Sequence, residues 1–240
     1  MNAALQPLIE LKQLTKTYGQ GSAAFEALRG IDLKIGKSEF VSIMGPSGSG
    51  KSTLMNLLGC LDQPTTGSYC YEGIPVETLD SVQRSLLRRY ALGFIFQGFN
   101  LLARTSAIEN VELPLLYRGI KRSQRHAMAR AALAQVGLPD KERNTPAELS
   151  GGQQQRVAIA RAIVTNPSTL FADEPTGNLD SQTTSEIMDL LTRLNSERGI
   201  TILMVTHEPD VAAYAKRTVS VIDGLISTDH THTSTSTSSH

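Results

Sequence analysis

Residues near the amino terminus alternate between apolar and polar, as strands with one buried face do. The alternation runs through residues 8–18 and is clearest in residues 31–35. Other runs are almost wholly apolar, which is typical of parallel strands buried on both faces; they occupy residues 39–44, 169–173 and 201–206. Residues 93–97 predict a further strand, and Gly67 and Gly73 bracket a short strand or hairpin.

Between these strands the pattern changes to that of helices. Residues 52–61 predict a helix directly after the 39–44 strand, and residues 122–136 are rich in alanine, arginine and glutamine. Residues 148–162 predict a turn that leads into another helix. We therefore expect a helical lobe, at about 99–161, inserted into a parallel α/β core.

One more helix is predicted over residues 182–198. Its apolar residues recur at helical spacing and are Ile187, Leu190, Leu191 and Leu194. Ser181 can cap the start of this helix, and Gly199 can end it.

The last residues, 227–240, are almost entirely serine, threonine and histidine. Such a segment cannot bury enough apolar surface to offset the entropy of ordering, so we predict a disordered tail. The expected organisation is one domain over residues 1–226 followed by this tail.

The amino-acid composition limits the classes of protein to which this chain can belong. Of the 240 residues 40% are hydrophobic and 19% charged, which is typical of a globular protein, and the formal net charge of +0 gives no basic excess for a nucleic-acid partner. No apolar run reaches membrane-spanning length and no secretory signal is recognisable, so we expect a cytoplasmic chain. Cys60 and Cys70 have neither zinc-ligand spacing nor a disulfide-rich setting and are interpreted as reduced thiols.

The strongest chemical signal is Gly-Pro-Ser-Gly-Ser-Gly-Lys-Ser at residues 45–52, which fits the phosphate-binding pattern G-x-x-x-x-G-K-[ST]. Its glycines let backbone N–H groups converge on phosphate oxygens, Lys51 can reach the β- and γ-phosphates, and the Ser52 hydroxyl can ligate magnesium. A glycine-rich turn without a ligand is the alternative. The predicted nucleotide-binding residues here are Gly45, Pro46, Ser47, Gly48, Ser49, Gly50, Lys51, Ser52 and Thr53.

An acidic pair, Asp173 and Glu174, ends the predicted strand 169–173. Asp173 can hold magnesium directly or through water, and Glu174 can polarise an attacking water. Paired acids at a strand end also occur as plain solvated turns, so this interpretation depends on the phosphate-binding loop.

A second glycine-rich segment, Leu-Ser-Gly-Gly-Gln at residues 149–153, lies just before a predicted helix. The N–H groups of Ser150, Gly151 and Gly152 can form another anion-binding surface. Because one loop already surrounds the triphosphate from one side, this surface is most useful over the γ-phosphate bound to another copy of the chain. A helix-capping turn is the alternative.

Together these motifs make residues 8–224 resemble the ATP-binding subunits of ABC transporters. Other family features have counterparts in Gln97 (the glutamine loop), residues 177–180 (the dimer-contact loop), His207 (the switch histidine) and Tyr18 (the ring that stacks on adenine). The resemblance implies an α/β fold: a P-loop NTPase core with a mostly parallel sheet, an antiparallel β subdomain and the inserted helical lobe.

The resemblance also implies individual roles. Gln97 contacts magnesium or the attacking water, His207 contacts the γ-phosphate, and both act with Glu174 in catalysis. The clamp on the opposite subunit's ATP and the dimer contact comprise Ser150, Gly151, Gly152, Gln153 and Asp180. The implied magnesium ligands are Ser52, Gln97 and Asp173. For Tyr18 an ordinary strand aromatic, and for His207 a packed histidine, are the alternatives.

Within the family, the chain is similar to the branch of macrolide-exporter and lipoprotein-release ATPases; the segments that carry this similarity are residues 27–32, 58–62, 99–102, 108–114 and 172–180. In that branch the partner permease has few membrane helices and a large extracytoplasmic domain.

We therefore expect an ATP hydrolase, with ATP and Mg²⁺ as cofactors, that closes as a head-to-tail homodimer and drives a separate permease at the inner face of the cell membrane. A periplasmic adaptor, reached through the permease, is a further candidate partner. The alternative is a regulatory ATPase that moves an FtsX-like membrane partner without transport. A soluble ABC protein of translation or DNA repair is disfavoured, because those usually carry two cassettes or a long coiled coil.

Overall fold

The computed structural model describes residues 6–232. The strands in this range are β1 Ile9–Tyr18, β2 Phe25–Ile35, β3 Phe40–Met44, β4 Thr66–Tyr71, β5 Ile74–Pro75, β6 Leu92–Phe96, β7 Thr169–Asp173, β8 Thr201–Val205, β9 Arg217–Ile222 and β10 Leu225–Thr231. The helices are α1 Lys51–Leu58, α2 Ser81–Ala91, α3 Ala107–Tyr117, α4 Arg122–Gln135, α5 Gly151–Ile163, α6 Ser181–Arg198 and α7 Pro209–Ala212. Short 3₁₀ turns lie at Gly21–Ala23, Val76–Thr78 and Pro146–Glu148.

The strands over residues 6–232 form two sheets. The first is antiparallel, in the order β2-β1-β4-β5, and contains the alternating segments near the amino terminus. The second has the order β10-β9-β3-β8-β7-β6, in which β9 to β6 run parallel and β10 pairs antiparallel with β9 at the edge. The predicted α/β class, with a mostly parallel sheet and an antiparallel subdomain, is confirmed.

The three apolar runs become the central strands β3, β8 and β7, and both faces of their sheet are covered. Leu170 and Ala172 on β7 pack into a cluster with the helices α3 to α6. Phe171, between them, points to the opposite cluster, which contains α1 and the antiparallel sheet. Since successive strand residues face opposite sides, a strand buried on both faces is apolar at most of its positions.

Register aligns the carboxyl ends of the parallel strands. Phe96 on β6 pairs with Asp173 on β7, and Asp173 pairs with Val205 on β8. Val205 also pairs with Ile43 near the end of β3. The segments that follow β3, β6, β7 and β8 therefore leave the sheet at one edge, where open α/β sheets bind their ligands.

The lobe contains α3, α4 and α5, in the region where the helical insertion is predicted. α3 starts at a capping box in which Ser106 and Glu109 satisfy each other's backbone N–H groups. α4 buries the small residues Ala129 and Ala132, which lets it pack closely against its neighbours.

Two boundary predictions were wrong. Residues 227–231, predicted as the start of the tail, belong to β10, whose ladder with β9 and whose ion pair between Asp229 and Arg217 (2.7 Å) supply order that composition does not reveal. The last predicted tail residues, 233–240, lie outside the described residues. At α6 the cap is Asp180 rather than Ser181, because the Asp180 carboxylate accepts a hydrogen bond from the Thr183 N–H at 2.9 Å; Gly199 ends the helix in the left-handed conformation, as predicted.

Candidate nucleotide site

The phosphate loop, residues 45–52, leaves β3 and enters α1. Two of its glycines are required by the backbone. At Gly45 a Cβ atom would lie 2.0 Å from the Val221 carbonyl oxygen, and at Gly50, with φ of 104°, it would lie 2.6 Å from the Ala27 carbonyl oxygen. A side chain at either position would displace the loop from its two neighbouring strands, so the tight turn needs glycine.

Lys51 begins α1 beneath this loop and is 8% exposed. Its ammonium group donates to the carbonyl oxygens of Gly45 (2.8 Å) and Pro46 (2.7 Å), which holds it within the loop. The Ser49 hydroxyl is buried and has no hydrogen-bond partner among residues 6–232. With the positive end of α1 facing the same turn, the loop has the charge and geometry of an anion site.

The outer part of the loop is open to solvent. Pro46, Ser47, Gly48 and Ser52 are exposed, and Thr53 is half-buried. Phosphate oxygens can therefore approach the loop, and the Ser52 hydroxyl stands beside it as a hard oxygen ligand.

Asp173 and Glu174 lie at the edge of the sheet where β7 ends. The Glu174 N–H donates to the Val205 carbonyl at 2.9 Å, which ties the acid pair to β8. Burial raises the pKa of the Asp173 carboxyl, the charge of Glu174 raises it further, and Lys51 opposes both. This mutual repulsion makes the acid pair a favourable place for added positive charge.

Glu174 is held in an unusual conformation, with φ of 44°. Its Oε1 lies 3.0 Å from Nδ1 of His207, whose ring is 63% exposed. Strained backbone at a reactive residue is typical of functional sites, since the surrounding structure must maintain it. The sequence predicted both residues, and the structure brings them into direct contact.

Gln97 follows β6 and joins the same edge. Its carbonyl accepts from the Asn178 side chain at 3.0 Å. A Cβ on Gly177 would lie 2.7 Å from the Gln97 amide nitrogen and 3.4 Å from Oε2 of Glu174. Gln97 and Glu174 thus converge over the small residue Gly177, as expected for groups that act on one water or one metal ion.

The signature turn, residues 149–153, caps α5. The Gln153 N–H donates to the Ser150 hydroxyl at 3.3 Å, and the Ser150 N–H donates to Oε1 of Gln153 at 3.1 Å. The capping role left open by the sequence is therefore present. Gly152 packs so closely against α6 that a Cβ there would lie 2.4 Å from Cγ2 of Thr183, and a Cβ on Gly151 would lie 3.5 Å from Leu179.

Tyr18, at the end of β1, is 40% exposed. Its hydroxyl donates to Asp62 at 2.8 Å, while the Lys16 ammonium group binds Asp62 at 2.7 Å and lies 4.7 Å from the centre of the Tyr18 ring. Burial, followed by the hydrogen bond to Asp62, raises the pKa of Tyr18. The ring is partly exposed, and the hydrogen bond to Asp62 fixes the position of its hydroxyl group. The sequence did not reveal the roles of Lys16 and Asp62, because they lie 46 residues apart.

Gln155 is a second residue that the sequence did not single out. It is fully buried on α5, and its side-chain amide donates to the Pro175 carbonyl, next to Glu174, at 2.6 Å. It is the last of three consecutive glutamines and is followed by Arg156, so the sequence held no local signal that distinguished it.

Within residues 6–232, the helices are too short or too polar to cross a bilayer.

Comparison with known proteins gives consistent results. The ABC transporter family matches residues 28–177. The chain is 52% identical over 224 residues to the macrolide export ATP-binding/permease protein MacB of Marinobacter nauticus, covering 93% of this chain and 35% of that protein. It is also 52% identical to the pyoverdine export ATP-binding/permease protein PvdT of Pseudomonas aeruginosa, covering 93% of this chain and 34% of that protein. The chain thus spans about a third of the length of these relatives.

Another relative has nearly the same length. YknY of Bacillus subtilis, an ABC transporter ATP-binding protein, is 51% identical over 91% of this chain and 95% of its own. Among solved structures, the dimeric ATP-binding cassette MJ0796 in a post-hydrolysis state with ADP and Pi superposes with a TM-score of 0.86 at 44% identity, covering 93% of this chain and 98% of that one.

The matched segment begins before the phosphate loop and ends beyond the acid pair, so it contains the two groups whose geometry is described above. The chain belongs to the ABC transporter family and is one of its ATP-hydrolysing, ATP-binding cassettes.

Proposed function

We propose that this chain closes head to tail with a second copy of itself on two ATP molecules, hydrolyses them with Mg²⁺, and so drives a separate export-type permease at the inner face of the membrane. The observation that carries the proposal is that one chain holds two glycine-rich segments at helix starts, the phosphate loop and the signature turn, which share no hydrogen bond among residues 6–232. A second copy gives the signature turn a phosphate to bind.

Magnesium fits the groups at the edge of the sheet. Ser52 and Asp173 offer the hydroxyl and carboxylate oxygens that this ion prefers, and Gln97 offers an amide oxygen. A divalent cation there favours the charged carboxylate, against the burial and the repulsion by Glu174 that raise the pKa of Asp173. When bound, it neutralises charge on the β- and γ-phosphates.

The hydrolytic step falls to Glu174 and His207. The Glu174 carboxylate accepts a proton from the attacking water, and His207, 3.0 Å away, fixes one carboxylate oxygen so that the other can face the water. Lys51 holds the phosphates as a point charge. Tyr18 presents its exposed face to the adenine ring, while Asp62 accepts from its hydroxyl and Lys16 lies over the ring.

The groups that act on the ATP of the opposite subunit lie in the signature turn and in the segment before α6. Ser150, Gly151, Gly152 and Gln153 present N–H groups and a hydroxyl at the start of α5, where the helix dipole favours anions. Asp180 caps the neighbouring α6, and the dimer-contact loop, residues 177–180, lies beside the signature turn, since a Cβ on Gly151 would lie 3.5 Å from Leu179. These groups clamp the γ-phosphate of the ATP bound to the opposite subunit.

A groove of about 690 Å³ beside β6 supplies a place for the permease. Its walls include Phe94, Pro114 and Tyr117, and two of its three arginines, Arg88 and Arg161, donate to backbone carbonyls rather than to carboxylates. We assign it to an acidic, partly apolar cytoplasmic segment of the permease. In MacB and PvdT a matching cassette and a permease belong to one protein, which supports such a contact.

Those relatives are named for export, so we favour transport over the regulatory alternative. The permease would carry the large extracytoplasmic domain of that branch, and a periplasmic adaptor would join through it. Co-reconstitution with a permease of that branch tests this. Export requires ATP-dependent movement of a solute across vesicles, whereas the regulatory alternative requires stimulated ATP hydrolysis without solute movement.

Mixing two inactive variants tests the shared site. Lys51→Ala disables a phosphate loop and Ser150→Arg disables a signature turn. In a head-to-tail pair each site combines one subunit's loop with the other subunit's turn, so a mixed dimer retains one intact site. An equimolar mixture should recover up to about a quarter of wild-type hydrolysis if the sites act independently. A mixture no more active than the separate variants contradicts sharing.

A further inference from the structure

Gln155 is a polar side chain in an apolar setting. It lies on α5 and is 0% exposed, and the residues three and four positions further along the same face of the helix, Ala158 and Ile159, are also buried. A buried amide is costly unless it forms hydrogen bonds, so its partners indicate why it is present.

The nitrogen of this amide has one clear partner. Nε2 of Gln155 donates to the carbonyl oxygen of Pro175 at 2.6 Å, and Pro175 directly follows Glu174. The turn continues as the Gly177 N–H donates to the Glu174 carbonyl at 3.2 Å. Gln155 therefore binds the turn at residues 174–177, in which Glu174 has a positive φ of 44°. We call this segment the catalytic turn.

The oxygen of the same amide has no partner among the described residues, although it is buried. A methionine or leucine would fill similar space without that cost. Packing alone therefore does not account for the glutamine, whereas the bond from Nε2 to the catalytic turn does.

The other end of the connection is the signature turn. Ser150 caps α5, and Gln155 lies five residues further along the same helix, about 7.5 Å along its axis. A helix transmits a displacement of its first turn to its second because their backbone hydrogen bonds are shared. Gly152, in contact with Thr183, ties the same turn to α6.

We infer that Gln155 is a positioning residue, which couples closure of the signature turn on the opposite subunit's ATP to the placement of Glu174 in its own subunit. The inference rests on the proposed shared-site function. A subunit that clamps its partner's nucleotide thereby sets its own hydrolytic geometry, and the two sites of the pair communicate through α5.

The test replaces Gln155 with Met, which keeps the volume and removes the donor. The matched control is Gln154→Met. Gln154 is the next residue on the same helix and also donates its amide to a backbone carbonyl, that of Leu149 at 3.1 Å, but it does not contact the catalytic turn. We expect kcat to fall at least about tenfold in Gln155→Met, with nucleotide affinity and KM changed less than about twofold, and the control to remain near wild type.

A double variant separates positioning from general loosening. If Gln155 acts only through Glu174, Gln155→Met combined with Glu174→Gln hydrolyses ATP at the same residual rate as Glu174→Gln alone. Losses that multiply, or a Gln155→Met kcat no lower than that of Gln154→Met, overturn the inference.

Nucleotide affinity also shows whether a variant of Gln155 is correctly folded. If Gln155→Met binds ATP poorly, Gln155→Leu is measured in the same way, and loss of binding in both assigns Gln155 a structural role and overturns the inference. Failure of the proposed function looks different, because wild-type protein would then lack hydrolysis that depends on Lys51 and Glu174.

Discussion

Replacing Glu174 with Gln separates ATP binding from ATP hydrolysis. The amide keeps the shape of the side chain and can still bond Nδ1 of His207, 3.0 Å from Oε1 in the structure, but it cannot accept a proton from water. Loss of a general base lowers turnover by about 10²–10⁴-fold. That range corresponds to about 2.7–5.4 kcal/mol of transition-state stabilisation. ATP affinity should change little, since the phosphate loop is untouched.

The same substitution should trap the closed pair. It removes a negative charge beside Asp173, close to where the γ-phosphate is placed, so the closed state gains stability while hydrolysis no longer resets it. Size exclusion with light scattering should show Glu174→Gln shifting from 26.0 kDa to about twice that mass in ATP and Mg²⁺, but not in ADP.

Glu208→Gln is the control for this experiment. It removes the same charge one residue beyond His207, and within the described range the Glu208 side chain forms neither a hydrogen bond nor an ion pair. Its turnover and mass should match wild type. A Glu174→Gln protein that hydrolyses ATP at the wild-type rate refutes the assignment of the base. One that stays at 26.0 kDa in saturating ATP and Mg²⁺ refutes closure by the cassette alone.

Three further outcomes are expected. Lys51→Ala should abolish phosphate release and weaken binding of a fluorescent nucleotide at least about tenfold, because the site acts mainly through charge and position; wild-type turnover would reject the phosphate loop. Ser150→Arg should abolish hydrolysis while one-site binding changes less than about twofold, whereas equal losses indicate that the cap serves folding. Asp229→Asn should lower the free energy of unfolding by about 1 kcal/mol at pH 7 in urea titrations. The hydrogen bond from Arg217 lowers the pKa of Asp229, so its contribution is present above the ordinary carboxyl value of 3.8 and disappears as the pH falls below it. A difference that persists unchanged in acid would contradict the ion pair.

The hydrophobic pattern of a single segment was sufficient to predict those strands and helices in which that pattern is clear. β3, β7 and β8 are apolar at most positions, and α6 repeats its apolar residues at helical spacing, so each was predictable from its own segment. α2 has no buried residue, and β9 and β10 mix polar with apolar positions. These segments therefore lack a clear hydrophobic period, and the two strands are defined by their pairing, β9 with β3 and β10 with β9. The sequence accordingly assigned none of the three to an element.

The features of the candidate site divide in the same way, into motifs that the sequence reveals and contacts that only the structure reveals. The phosphate loop, the acid pair and the signature turn are contiguous motifs whose function follows from residue types at fixed spacing, so the sequence determined them and the family. Contacts between distant segments, such as Gln155 with Pro175, His207 with Glu174, and Lys16 and Tyr18 with Asp62, were decided only by the tertiary structure. The type of a residue determines which hydrogen bonds its side chain can form, but strand register and helix packing determine which partner comes within about 3 Å.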